Sequence, residues 1–455
     1  MKKIYFLILF TSFCACNSDT DNFEDAPVVT PIELTKSAIE LTQNQSEQLF
    51  FFDNEVINDA IYTSSANTIA EVSSTGLVTA NSVGTATITV SAANRIAATV
   101  TVTVTAAPNS SGNWEVLTTL PVGVARYRSV SFTIGNNGYI GLGSDYQYES
   151  TGFNTTVFQS GSNLVSFMSY NFNTNTWSSV APFPNGHREN PVVFTANDKA
   201  YIGLGQIRDP NTSQTYFLND FWEYNPSTNT WTQLANFPGI GRSSCVGFGI
   251  NGVGYVGLGY SYENGYVNRK DFWAYSINTN TWSQLPDFPA EARRDATGFS
   301  SGNLGYVGLG FTGTDDYSAY FPTGLVKNDF WCFNPENSTW VAKANLPLSG
   351  VDYIESGRIE ALGFSLNGAI YVGKGMGRKL GNPWNGVLYP LKDFWRYNSV
   401  SDSWDQMNDN LIDARRPFVF TSSTNAFVGC GYNYSRTGNH SSKTILDYSF
   451  TKFTP

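Results

Sequence analysis

The chain has 455 residues, of which 41% are apolar, 15% aromatic and only 14% charged, and it carries 41 glycines. A helical surface rich in Glu and Lys is excluded by so few charges, whereas many short aromatic strands joined by glycine turns fit an all-β chain of two or more domains. The formal net charge of −10 argues against a nucleic acid partner, and His187 and His440 are the only histidines, so no metal and no cofactor is expected.

Lys2 and Lys3 precede an apolar run over residues 4–13, too short to span a bilayer, which then meets Phe13-Cys14-Ala15-Cys16. This resembles the lipobox of bacterial lipoproteins, with Phe13 where the usual Leu would stand. The resemblance implies a signal peptide over residues 1–16 and a lipid on Cys16. The acidic tether over 17–28 is similar to the export signal of Bacteroidota surface lipoproteins. It implies an outer-membrane location on the surface or facing the periplasm, with the membrane as a partner through the lipid anchor. Cys245, Cys332 and Cys430 lie far apart in strand-like apolar stretches and read as small buried hydrophobes, not a disulfide framework.

Residues 29–106 alternate with period two, as in the segments 85–90 and 98–104, and read as a small sandwich. The stretch 69–80, followed by Gly84-Thr85-Ala86-Thr87-Ile88, resembles the group 2 bacterial immunoglobulin-like domain, which implies a spacer or adhesion role. Residues 107–113 are small and polar and are expected to be a linker.

From Trp114 onward a repeat dominates. An aromatic-Ile/Val-Gly-x-Gly phrase occurs at 139–143, 201–205, 255–259, 306–310, 371–375 and 427–431, with 51 to 65 residues between copies. A closing tryptophan recurs at Trp177, Trp231, Trp282, Trp340 and Trp404, and Asp-Phe-Trp begins at Asp220, Asp271, Asp329 and Asp393. Blade 1 departs, with Phe167-Met168-Ser169-Tyr170 expected in the place of Asp-Phe-Trp. The six copies resemble the Kelch repeat, which implies a six-bladed β-propeller over 114–455. Trp114 has no repeat before it and the last repeat lacks its tryptophan, so the strand at Trp114 is expected to complete the last blade.

If each blade is a meander of four strands running from axis to rim, the loops between second and third strands share one face with the connections between blades. These loops are long and irregular, so this face is expected to bind. Arg126, Arg188, Arg242, Arg293 and Arg358 each lie 13 residues before the phrase's aromatic residue, and Arg415 lies 12 before Phe427. The six are expected to ring the channel mouth as an anion site, since guanidinium forks suit carboxylates. Tyr146, Tyr262, Tyr434 and Trp384 in the long loops suit sugar faces. The four Asp-Phe-Trp aspartates read as structural.

Two enzyme families share the implied fold. Galactose oxidase requires a cysteine cross-linked to a tyrosine, for which these loops offer no cysteine. The periplasmic sialic acid mutarotases are the nearer resemblance, through the Tyr-Ile-Gly-Leu-Gly wording of 139–143. That resemblance implies Glu189, Glu291, Glu355 or Glu360 as acid or base. The expected function is a non-catalytic, monomeric surface lipoprotein whose loop face binds a glycan or a protein partner. The alternative is a mutarotase of the N-acetylneuraminate epimerase type.

Overall fold

A computed structural model describes residues 29–42, 46–52, 55–105, 112–151, 156–160, 162–209, 212, 214–313, 325–347, 357–378, 388–408, 416–429, 431–436 and 441–455. The chain divides after residue 107 into two units. No α-helix occurs among the described residues.

In the first unit, period-two segments become paired strands. Gly84–Ser91 lies between Ile61–Ser64 and Ala98–Thr105, and Ala38–Thr42 adds to the far edge in parallel. A second sheet holds Ser46–Gln48, Leu77–Ala80 and Ala70–Val72. The apolar residues of each strand, among them Ile39, Val78, Ile88, Val100 and Val102, face inward as one core.

The second unit contains six four-stranded antiparallel blades among the described residues. Blade 1 runs Val130–Ile134, Asn137–Gly141, Phe167–Asn171 and Thr176–Val180, and the next four repeat that order. Blade 6 is assembled from both ends of the unit. Phe418–Thr421, Ala426–Gly429 and Phe450–Thr454 receive Asn113–Val116 as the outermost strand, with Trp114 opposite Phe453. This is the expected ring closure, but it begins at Asn113, one residue inside the stretch expected to be linker.

The repeated phrase has a packing reason. Its first glycine lies under the phenylalanine that opens the third strand, and a Cβ on Gly257 would run into the Phe272 ring. Its second glycine is left-handed, as at Gly205 with φ of 91°. The amide of that glycine donates to the carbonyl of the next blade's arginine: Gly143 to Arg188 at 3.0 Å, Gly205 to Arg242 at 2.8 Å, and across the seam Gly431 to Arg126 at 3.2 Å. The closing tryptophans link blades at the rim. Trp231 and Trp282 donate to the carbonyls of Ala181 and Ala235 at 3.0 and 3.1 Å.

The long loops are more regular than expected. Five of them carry an extra hairpin, for example Gln206–Arg208 with Thr215–Phe217 and Tyr260–Tyr262 with Tyr266–Asn268. The loops of blades 1 and 6 merge into one four-stranded sheet, in which Gln147–Thr151 pairs with Ser441–Leu446. Ring closure is therefore fastened twice, at the rim and above the seam.

Trp114 carries much of the rim fastening. Its ring meets Phe453 at 4.8 Å and Phe394 at 5.4 Å, and its Nε1 donates to the Asn408 carbonyl at 3.2 Å. Trp114→Ala is expected to lower the propeller's unfolding free energy by about 3 kcal/mol, read as an earlier propeller transition in chemical denaturation.

Candidate functional site

Blades 1 to 5 enter their innermost strands through an arginine and the two residues after it, and these three positions face different surroundings. The structure corrects the placement of the arginine. Arg126, Arg188, Arg242, Arg293 and Arg358 are at most 2% exposed and lie inside the blades, not on the channel. Four of them hold the Asp-Phe-Trp aspartate in a fork. Arg188 reaches Asp220 at 2.7 and 2.8 Å, Arg242 reaches Asp271 at 2.5 and 2.9 Å, Arg293 reaches Asp329 at 2.5 and 2.9 Å, and Arg358 reaches Asp393 at 2.9 and 2.8 Å. The tryptophan of the same motif donates to the aspartate, as Trp222 does to Asp220 at 2.7 Å. Phenylalanine rings cover the guanidinium groups of Arg188, Arg242 and Arg293. A buried guanidinium with a bidentate carboxylate has little left for a ligand.

Blade 1 shows the rule by departing from it. Phe167 pairs with Gly141, so Ser166, one place earlier than expected, stands where the other blades have aspartate. Arg126 turns instead to the carbonyls of Gly123, Val124, Leu142 and Ser166. Arg415 lies outside the described residues. The residue two before Arg416 is Ala414, so Arg415 stands one place past the register of the other five.

The mouth is lined in every blade by the second position after the arginine's place, joined by Glu189 and Arg294 from the position between. Two residues after the arginine, or after Ala414 in blade 6, every blade presents a non-glycine residue with left-handed backbone: Arg128, Asn190, Ser244, Asp295, Glu360 and Arg416, with φ between 49° and 56°. Non-glycine residues rarely hold this conformation, and six in a ring mark the mouth as a place where backbone strain is maintained. One residue after the arginine, the chain forms a bridge to the start of a long loop, as Glu189 does with Gln206 and Ser243 with Tyr260. The hairpins therefore rise directly from the mouth.

Charges interlock there. Arg128 donates to Glu189 at 2.6 Å, and the other Glu189 oxygen accepts from the Ser144 hydroxyl. Arg416 extends across the axis to Glu360, to Asn190 and, at 3.5 Å, to Asp295. The Arg294 guanidinium lies 4.8 Å from the centre of the Tyr260 ring and 5.0 Å from that of Phe311, with Nε 3.8 Å from Asp295. Burial alone would push the Glu189 carboxyl up, but Arg128 and the Ser144 hydroxyl outweigh it and hold the group below its ordinary range. Burial pushes the Tyr260 hydroxyl up to about 12, so it stays protonated at neutral pH, and it donates to Gln206 at 2.7 Å.

Above the ring is a cavity of about 200 Å³ bounded by Arg128, Glu189, Asn190, Ser244, Asp295 and Arg416 below. Gln206, Arg208, Thr215, Tyr260, Tyr266 and Arg294 form its walls. A second cavity of about 210 Å³ continues down the axis past Ser129, Ser131 and Cys245. Burial pushes the Cys245 thiol up to about 12, in keeping with an inert packed side chain.

The loop aromatics divide. Tyr146 is partly buried, and burial pushes its hydroxyl up, with the Glu189 and Asp145 carboxylates adding to the rise. Tyr262 is 60% exposed and meets the Tyr266 ring edge-on at 5.4 Å. Trp384, Glu355 and His440 lie outside the described residues, as does the side chain of Tyr434. Glu291 is exposed and pairs with Lys327 at 2.7 Å. Missed entirely were Arg128, Asp295, Arg294, Arg208 and Arg416. Two of these, Arg208 and Arg128, were findable by counting from landmarks already recognised, the phrase's second glycine and the arginine.

Two family models match the chain: the group 2 bacterial Ig-like domain over residues 28–104 and the Kelch motif over residues 211–238. The N-acetylneuraminate epimerase of Pasteurella multocida (strain Pm70) is 32% identical over 138 residues, 30% of each chain. Those of Shigella flexneri and Escherichia coli (strain K12) are 28% and 27% identical over 174 residues, 38% of this chain and 40% of theirs. The matched stretches thus span less than half the length of these relatives. The solved structure of YjhT superposes with a TM-score of 0.52 at 16% identity, covering 72% of this chain and 96% of YjhT. That likeness shows the fold.

Because the forks hold blades together, Arg242→Ala is expected to cost about 3–5 kcal/mol of propeller stability. Whatever fraction remains folded is expected to keep its ligand affinity. Denaturation and a titration on the same sample check both halves.

Proposed function

We propose that this chain, a Kelch-type propeller behind a group 2 bacterial immunoglobulin-like domain, binds a carboxylated sugar of the N-acetylneuraminate type in the mouth cavity and interconverts its anomers. The observation that carries the reading is the composition of the cavity. Arginines, carboxylates and a protonated tyrosine hydroxyl converge on about 200 Å³ at the face where the long loops rise. The epimerase relatives support the same sugar class.

Mutarotation needs no cofactor. A base takes the proton from the anomeric hydroxyl, the bond from the anomeric carbon to the ring oxygen breaks, and the ring oxygen takes up a proton. The carbonyl so formed is attacked by that oxygen on its other face, and the protons return. Asp295 and Glu189 are the carboxylates on the cavity suited to take the proton, and the Tyr260 hydroxyl is suited to give one. Asp295→Asn is expected to slow the approach of a freshly dissolved anomer to equilibrium by about a hundredfold and to leave binding within a few-fold. Proton NMR of the anomeric mixture and a calorimetric titration measure the two. Rates equal to the uncatalysed reaction with wild-type protein would reject the enzymatic reading.

A second reading keeps the ligand and drops the chemistry. The mouth carboxylates are tied into ion pairs, and Glu189 is held below its ordinary range, so these groups are occupied in holding the arginines of the mouth. In that case the propeller is a glycan-binding module, and the titration responds while the anomer assay does not.

The lipobox at Cys16 supports a lipid anchor that holds the chain at the outer membrane, with the immunoglobulin-like domain as spacer. Cys16→Ser is expected to move the expressed protein from the membrane fraction to the soluble one.

A further inference from the structure

Resting on the sugar-acid reading above, we propose that Arg208 is the residue that selects for the carboxylate. The charges around the cavity pair off unevenly. Arg128 is matched by Glu189 at 2.6 Å, Arg416 by Glu360, and Arg294 by Asp295 at 3.8 Å. Arg208 is the fourth guanidinium on the cavity, and it makes no hydrogen bond or ion pair with any described side chain. It is also exposed, whereas Arg294 is buried and Arg128 is partly screened by its partner. Among the described residues that line the cavity there is therefore one positive charge beyond the internal pairs, and it sits on the arginine most able to move onto a ligand.

The hairpin aims it. Gln206 and Arg208 lie two apart on one strand, so they share a face, and their cross-strand partners are Phe217 and Thr215. Gln206 is fixed by the Tyr260 hydroxyl at 2.7 Å, and the Phe217 ring meets that of Tyr260 edge-on at 5.3 Å. This face is thus pinned against the cavity wall, with Arg208 and Thr215 toward the open end. No repeat position requires an arginine here. The third residue after the phrase's second glycine is Tyr146, Arg208, Tyr262, Gly313, Arg378 and Tyr434 in the six blades. The position tracks the loop, not the scaffold. A guanidinium at the rim of a cavity whose floor is already neutralised supplies the fork that a carboxylate needs.

The test titrates the full chain with N-acetylneuraminate and with its methyl ester, which keeps the sugar and removes the charge. Wild type is expected to prefer the acid. Arg208→Ala is expected to weaken the acid about tenfold and leave the ester unchanged, with Arg208→Lys between the two. In turnover the loss is expected in KM, not kcat. Arg208 is exposed, and an unchanged melting temperature shows that the variant folds. Undiminished acid binding in Arg208→Ala, or equal binding of acid and ester by wild type, would overturn the assignment and leave the sugar reading standing. Wild-type protein that binds neither compound would overturn both.

Discussion

The propeller depends on one buried interaction repeated in blades 2 to 5, the fork between the arginine that precedes the innermost strand and the aspartate that precedes the third. Burying a guanidinium is costly unless a carboxylate and further acceptors receive it. Here the fork meets that need and also joins the two halves of a blade across its loop. The same arginine's carbonyl accepts the amide of the preceding blade's second glycine. Side chain and backbone of one residue thus hold the inside of one blade and its junction with the last. Where the fork is absent, it is absent in both partners or rebuilt. Blade 1 replaces aspartate with Ser166 and turns Arg126 onto carbonyls. In blade 6 the corresponding residues are Ala414 and Ser449. These are the two blades that meet at the seam, where the terminal strand and the merged loop sheet supply other fastenings.

An arginine held in this way also sets the course of the next two residues. With the side chain inside the blade, the first of them bridges to the base of the long loop and the second enters the channel with left-handed backbone. The scaffold therefore delivers the second of these side chains to the mouth in every blade, and the first at Glu189 and Arg294. Function is free to vary at these positions while the fork is not, which is how one fold serves many ligands.

The division between scaffold and site also explains what could be read from the sequence. The blades, their number, the closure at Trp114 and the sandwich ahead of them were legible because each rests on a residue type that recurs: glycine against phenylalanine, tryptophan against a carbonyl, strands of period two. Arg188 and Arg242 recur for the same reason, and their regularity was mistaken for a sign of binding. Position along the strand was read correctly, but spacing does not tell whether a side chain turns into the blade or toward the axis. The mouth residues were missed for the opposite cause. Arg128, Asn190, Ser244, Asp295, Glu360 and Arg416 share no side-chain chemistry, only a backbone conformation, and a repeat search follows chemistry. Tyr146 stands out in the sequence because an aromatic residue in a polar loop is conspicuous. Arg208, three residues past Gly205 just as Tyr146 is past Gly143, was passed over because arginines were already assigned to the ring.

Site and closure meet in Arg416. It comes from blade 6, the blade completed by the N-terminal strand, and it extends to Glu360 of blade 5, Asp295 of blade 4 and Asn190 of blade 2. Its guanidinium crosses the axis only if blade 6 is seated beside its neighbours. Tyr432, which opens the blade 6 share of the merged sheet, packs against Tyr127 beside Arg128 at 5.0 Å. The floor of the cavity is thus assembled by the same contacts that close the ring. A ligand held on that floor binds the closed propeller in preference to an opened one, and by mass action it stabilises the seam as well as itself. Ring closure here is part of the geometry of the site, because Arg128 and Arg416, the two arginines with left-handed backbone at the mouth, come from the two blades that meet at the seam.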